Sequence, residues 1–277
     1  MARRIVTAVI LVFYAVTGIL FMIGAALIWL VTRPFDRRLR LLQLHSCLWG
    51  SFYMWTNPFW TVEVDGRENL DSNTASVFVS NHQSALDILV AYRLFTHFKW
   101  VSKAEVFRVP VVGWNMYLNR YVKLHRGNSE SVKEMLDACR QHLKEGSSVY
   151  FFPEGTRSTT GEMRRFKTGA FLLAKEMQVP ITPVAVSGTV NALPKRSLTL
   201  QGYHRMRIRV LPPIPYEEFA DTPARELAQR VRGLIAAHVD EHPGSGQVSK
   251  EEGEPAVLEE AQSPPSGTST PSRTSTS

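Results

Sequence analysis

Residues 77–87 read VFVSNHQSALD and residues 148–158 read SVYFFPEGTRS, and these two stretches decide the fold. Each opens on a short run of β-branched and aromatic residues, the pattern of a buried strand, and then breaks into polar and turn-forming residues. The first turn leads into helical spacing over Ala85 to Phe95. A strand that ends in a polar turn before a helix is where α/β sheets place their ligands.

Outward from these stretches the alternation continues. Tyr121 to Leu124 is a short strand, and Ser129 to Glu145 is an amphipathic helix with Ser129 as its cap. Gly169 to Met177 then reads as helix, Ile181 to Val186 as strand, Met206 to Leu211 as an alternating strand and Thr222 to Val239 as a final helix. Strands alternating with helices predict an α/β fold, a mostly parallel sheet flanked by helices on both faces, over residues 61–242.

The two ends differ from this body. Ile5 to Val31 contains no charged residue and as a helix would extend roughly 40 Å against a hydrocarbon core of about 30 Å. It is too long for the apolar part of a secretory signal and ends on Trp29, Leu30 and Val31 rather than small residues, so a retained membrane helix at 5–31 is expected. Arg33, Arg37, Arg38 and Arg40 outnumber Arg3 and Arg4, which places the following domain on the cytoplasmic face of an inner or plasma membrane. A second uncharged stretch, within 41–60, holds Trp49, Phe52, Tyr53, Trp55, Phe59 and Trp60. It reads equally as an interfacial segment, the second arm of a membrane hairpin or an aromatic core helix, and residues 1–60 together form the expected anchor. Residues 243–277 collapse to Pro, Ser, Thr, Gly, Glu and Gln, the composition of a disordered tail.

Composition narrows the function classes. Only Cys47 and Cys139 are present, too few for a disulfide framework or a four-cysteine zinc site, and the histidines outside the first block lack metal-ligand spacing, so no metal is expected. The net charge of +7 includes an acidic tail, so the body is more basic than the whole and calls for a polyanionic partner. The aromatic residues cluster in the charge-free 41–60 stretch instead of interleaving with the basic ones. That argues against nucleic acid and for membrane lipids.

In the first block, Asp87 on the first helical turns can reach back to His82 in the turn, hold one imidazole nitrogen and leave the other free as a general base. In the second, Gly155 permits close backbone approach, Thr156 and Ser158 offer hydroxyls and Arg157 offers a planar fork for phosphate. Taken singly, each is an ordinary turn with a capping or surface side chain.

Together the two blocks resemble the signature of the glycerolipid acyltransferase superfamily, an NHxxxxD block followed some 70 residues later by FPEGTRS. Within it the likeness is greatest to the bacterial 1-acylglycerol-3-phosphate acyltransferases. Asn81, His82 and Asp87 match the first block, and Phe152 through Ser158 match the second without a mismatch. Lys103, Glu105, Pro110, Gly113, Trp114 and Arg126 answer a middle block, although Val106 and Asn119-Arg120 depart from it, and Val179 to Val184 answers a fourth. The resemblance spans roughly Val62 to Leu211.

It implies transfer of an acyl group from acyl-CoA or acyl carrier protein to lysophosphatidic acid, with His82 and Asp87 catalytic and no cofactor beyond the thioester. It also implies that Arg157, helped by Arg126 and Lys103, binds the acceptor phosphate, and that Glu154 helps bind the acceptor or shapes the site. Oxyanion donors are expected among backbone N–H groups near Gly155 or at the helix start after Asn81. A covalent route through Ser84 or Cys139 has little support without a GxSxG elbow. The rival readings are a sibling enzyme acting on glycerol 3-phosphate, a lysophospholipid or a lyso-aminolipid, and an idle membrane-anchored lipid-binding protein.

Overall fold

The structure, a computed structural model, describes residues 2–157, 162–192 and 203–240. Ser158 and the tail expected at 243–277 lie outside the described residues.

In chain order the elements are α1 (Ala2–Thr32), α2 (Arg40–Trp55), β1 (Trp60–Asp65), β2 (Val77–Ser80), α3 (Leu86–Tyr92), β3 (Phe98–Lys103), α4 (Val112–Leu118), β4 (Val122–Leu124), α5 (Ser129–Lys144), β5 (Ser148–Phe151), α6 (Gly169–Met177), β6 (Ile181–Ser187), α7 (Thr189–Ala192), β7 (His204–Val210) and α8 (Ala224–Asp240). The strands form one sheet in the order β1-β7-β6-β2-β5-β3-β4. Every neighbouring pair is parallel except β6 and β7.

Both faces of this sheet are covered, which is why its central strands β2, β5 and β6 are buried at every position and mostly apolar. Alternate side chains divide between two cores, as the two-residue period of a strand requires. Val77, Val79, Val149 and Phe151 pack with Met135, Leu143, Phe171, Val231 and Ile235 of α5, α6 and α8. Phe78, Tyr150, Phe98 and Trp100 pack on the opposite face with Cys47, Met54, Leu86, Val90 and Met116 of α2, α3 and α4. Truncating a fully buried ring such as Phe98 to alanine should cost about 3–5 kcal/mol.

Two strands escape the sequence pattern. β3 carries Lys99, which is 1% exposed and donates from Nζ to the carbonyls of Arg38 (2.8 Å) and Asn119 (2.9 Å). A lysine there reads as surface, so FKWVSK does not look like a central strand. β1 begins inside the aromatic stretch and pairs its Glu63 with Arg207 of β7 at 2.6 Å, an edge ladder that consumes some of the basic charge. The cap of α5 is also displaced by one residue. Asn128, not Ser129, accepts the Ser131 N–H at 3.1 Å.

The membrane-facing segments resolve in part. Val12–Thr32 of α1 is long and apolar enough to cross a membrane, and it is the one such helix among the described residues. Its Val16, Leu20, Ile23, Leu27 and Leu30 are exposed. At 16 residues α2 is shorter than a span, which needs about 20. It buries Leu42, Ser46, Cys47, Trp49 and Met54 against the domain and leaves Leu41, Leu44, Leu48 and Trp55 exposed. The core-helix reading of 41–60 describes its buried face, and its opposite face is apolar and exposed. Since Cys47 and Met54 share a cluster with β2 and β3, the packing of the domain runs through residue 60. α1 lies on α2 through Phe21 stacked on Trp49 (5.7 Å between centroids) and Thr17 bonded to the Tyr53 hydroxyl at 3.2 Å.

Candidate active site

The register of β2 and β5 builds the site. Val79 lies opposite Phe151, so residues three positions further along each strand, His82 and Glu154, emerge side by side. The Glu154 carboxylate accepts the His82 backbone N–H at 2.7 Å and the Arg164 N–H at 2.9 Å. Both of its oxygens are thereby engaged, and the side chain does not line the cavity in front of it. Glu154 thus shapes the site from behind the histidine. Burial raises its pKa, and the two N–H donors oppose that rise.

Asn81 does not cap α3. Its amide donates to the Val186 carbonyl and accepts the Val186 N–H, both at 2.8 Å, so the side chain adds one rung to the pairing of β2 with β6. The turn is therefore fixed on both sides, by β6 through Asn81 and by the β5 turn through Glu154.

Asp87 is fully buried, and its Oδ2 accepts from His82 Nδ1 (2.8 Å), Gln83 N (2.7 Å) and Ser84 N (2.9 Å), while Oδ1 accepts from the Thr189 hydroxyl. Hydrogen bonding to the carboxylate makes His82 Nδ1 the donor and leaves the Nε2 lone pair available. Among the described residues Nε2 has no hydrogen-bond partner, and the ring lines the cavity with its face stacked on Phe152 at 4.1 Å. Gln83 N and Ser84 N serve Asp87, and Gly155 N bonds the Phe152 carbonyl, so these expected oxyanion donors are already committed. Ser84 and Cys139 are buried away from the cavity, and burial pushes the Cys139 thiol up, which leaves neither as a nucleophile.

The cavity has a volume of about 830 Å³. Its polar mouth joins His82 to Lys103, Arg126, Gly155, Thr156, Arg157 and Lys167; its apolar arm runs between α2, α3 and α4 past Trp49, Tyr53, Leu89, Tyr92, Val106 and Met116. The sequence-predicted cations do meet, but not equally. Lys103 pairs with Glu105 at 3.0 Å. Arg126, Arg157 and Lys167 have no ion-pair partner among the described residues. Burial pulls the Arg126 guanidinium below its ordinary value, Glu105 opposing and the neighbouring Arg157 adding to the shift.

Lys167 is the residue that sequence reading missed. Gly155 stands at φ +72, and a Cβ there would meet Lys167 Cε and Nζ at 3.0 Å. Gly155 thus supplies both the left-handed turn and the room for Lys167 to cross it. The available signal was a basic residue just ahead of a helix start, in FKTGA.

The comparisons agree with this geometry. The Acyltransferase family profile matches residues 61–187, which contain both turns. A chloroplastic 1-acyl-sn-glycerol-3-phosphate acyltransferase of Brassica napus is 35% identical over 228 residues, 82% of this chain and 62% of its own. The chain belongs to the glycerolipid acyltransferase superfamily. Within that superfamily, the 1-acyl-sn-glycerol-3-phosphate acyltransferase of Arabidopsis thaliana is 38% identical across 70% of this chain and 52% of its own, and that of Chlamydomonas reinhardtii 41% across 73% and 60%. The chain thus spans between half and about two thirds of the length of these plant and algal relatives. The crystal structure of the 1-acyl-sn-glycerophosphate acyltransferase PlsC from Thermotoga maritima has the same fold, with a TM-score of 0.72 over 87% of this chain and 97% of that one, at 24% identity. The superfamily signature therefore coincides with the two turns that the β2–β5 register brings together.

Proposed function

We propose that the protein transfers a fatty acyl group from an acyl thioester, carried by CoA or acyl carrier protein, to the free hydroxyl of 1-acyl-sn-glycerol 3-phosphate, forming phosphatidic acid. The observation that carries this reading is the pairing, in one cavity, of an Asp-held histidine with three cations that have no ion-pair partner among the described residues and with an apolar arm. A phosphate, a hydroxyl and an acyl chain are the three parts such a cavity would receive.

In this mechanism the acceptor hydroxyl, a weak nucleophile at neutral pH, gives its proton to His82 Nε2 as its oxygen attacks the thioester carbonyl carbon. Asp87 holds the tautomer and stabilises the imidazolium that forms. Collapse of the tetrahedral intermediate breaks the C–S bond, and the imidazolium returns the proton to the departing thiolate. Arg157, with Arg126 and Lys167, binds the acceptor phosphate, and Lys103 assists from the rim. The thioester supplies the leaving group, so the proposal includes no cofactor or metal.

Membrane placement follows from the apolar α1 and from the exposed Leu44, Leu48, Val112 and Trp114 of α2 and α4. The arginines at 33, 37, 38 and 40 support a cytoplasmic placement of the domain, which belongs to the same proposal. The test is an acceptor panel with labelled acyl thioester. Lysophosphatidic acid should be acylated in preference to glycerol 3-phosphate, neutral lysophospholipid and lyso-aminolipid. A preference for any of the last three would replace the acceptor, and label transfer to none would refute the activity.

A further inference from the structure

A second cleft, of about 560 Å³, shares no lining residue with the catalytic cavity and lies at the opposite end of β3. Four arginines enter it: Arg33, Arg37 and Arg38 from the turn after α1, and Arg120 from the turn between α4 and β4. Its two carboxylates are occupied. Asp36 accepts the Leu41 N–H at 2.8 Å, while Glu145 accepts from the Gln141 amide at 2.8 Å and faces Arg120 at 3.6 Å. Arg33 lies over the Trp29 ring at 4.8 Å, and neither the Arg33 nor the Arg37 side chain has a hydrogen bond or ion pair among the described residues.

The cradle is built rather than incidental. Buried Lys99 ties the Arg38 and Asn119 carbonyls together, and His142 bonds the Arg120 carbonyl at 2.9 Å. Leu39 and Arg120 are held at φ 58 and 56, a left-handed conformation that non-glycine residues adopt only where surrounding packing imposes it. The rim is apolar on the side of α1, where Leu30, Val31 and Phe35 are more than 60% exposed. Cations facing a cleft at the end of an apolar helix, beside a tryptophan, sit at headgroup depth.

We propose that this cleft binds the phosphate of an anionic phospholipid headgroup, at a site separate from the one where acyl transfer takes place. The adjoining exposed apolar surface of α1 takes the lipid chains, which a free phosphate would leave bare. The occupied lipid fixes the turn between α1 and α2 at the membrane surface.

The experiment uses the full chain in neutral detergent micelles, with an Arg157→Ala background so that lipid held in the catalytic cavity is scored apart. Native mass spectrometry follows the titration of phosphatidylglycerol against phosphatidylcholine. One phosphatidylglycerol should be retained per chain in preference to phosphatidylcholine. Arg33→Gln with Arg37→Gln should weaken that binding roughly 30-fold, since each cation beside an anionic headgroup contributes a factor of about five. The same pair, made without Arg157→Ala, should keep wild-type turnover in neutral micelles. Equal retention of the two lipids, or no effect of the arginine pair, would overturn the site. Displacement of the lipid by inorganic phosphate at equal concentration would overturn the lipid reading in favour of a free-anion site. Loss of turnover in neutral micelles would also overturn it, by placing these arginines in the catalytic fold.

Discussion

The turn after β2 and the turn after β5 sit side by side at one end of the sheet, yet they are wired in opposite ways. Around His82 the polar groups are tied: Asn81 to Val186, Asp87 to three N–H groups and a hydroxyl, Glu154 to two backbone N–H groups. Beyond Gly155, three cations face a cavity without an ion-pair partner among the described residues. Buried polar networks that are fully satisfied rigidify, while like charges left close together call for an anion. The difference matches the two jobs proposed for them, a preorganised base and a phosphate seat.

Breaking the wired side should cost most. Asp87→Asn removes the acceptor that fixes the His82 tautomer and should lower kcat by about 10³- to 10⁴-fold in a thiol-release assay, with acceptor KM little changed. Breaking the open side should act on the other parameter. Arg157→Ala should raise the KM for lysophosphatidic acid roughly 10- to 100-fold, from the loss of charge-assisted hydrogen bonds worth about 1.5–3 kcal/mol, and leave the donor KM unchanged. A KM change confined to the donor would move Arg157 out of the phosphate seat. Lys167→Met should act in the same direction but more weakly, about fivefold, because an ammonium offers a point charge where guanidinium offers a fork.

The sharpest test of the boundary between the two turns is Glu154→Gln. Its amide can accept only one of the two N–H groups and presents a donor to the other, which should cost about 1–3 kcal/mol of stability in chemical denaturation. Turnover should fall with acceptor affinity intact. Weakened acceptor binding without a stability change would make Glu154 a substrate ligand instead.

The contact of His82 with Asp87 was legible because it is local: the two are five residues apart, across one turn and the start of one helix. The same holds for Gly155 and Arg157, whose strand, turn and charge lie within ten residues. What sequence did not yield depends on distant partners. The buried Lys99 disguises β3, because its two carbonyl acceptors come from residues 38 and 119. For Glu154 the sequence left open acceptor binding or shaping of the site, and only its distant partners, the N–H groups of residues 82 and 164, turn it inward. Lys167 joins the cations only through the left-handed turn at Gly155. The double character of α2 follows from its lying between α1 and the domain, which no window of its own composition records.

The central claim is that His82 takes the acceptor proton in a site whose phosphate seat is independent of it. It is tested most directly by purified, membrane-reconstituted His82→Ala, with thiol release and lysophosphatidic acid binding measured on the same sample. The account predicts turnover at background with acceptor affinity within about twofold of wild type. Near-wild-type thiol release, with acyl transfer to the acceptor, would contradict it.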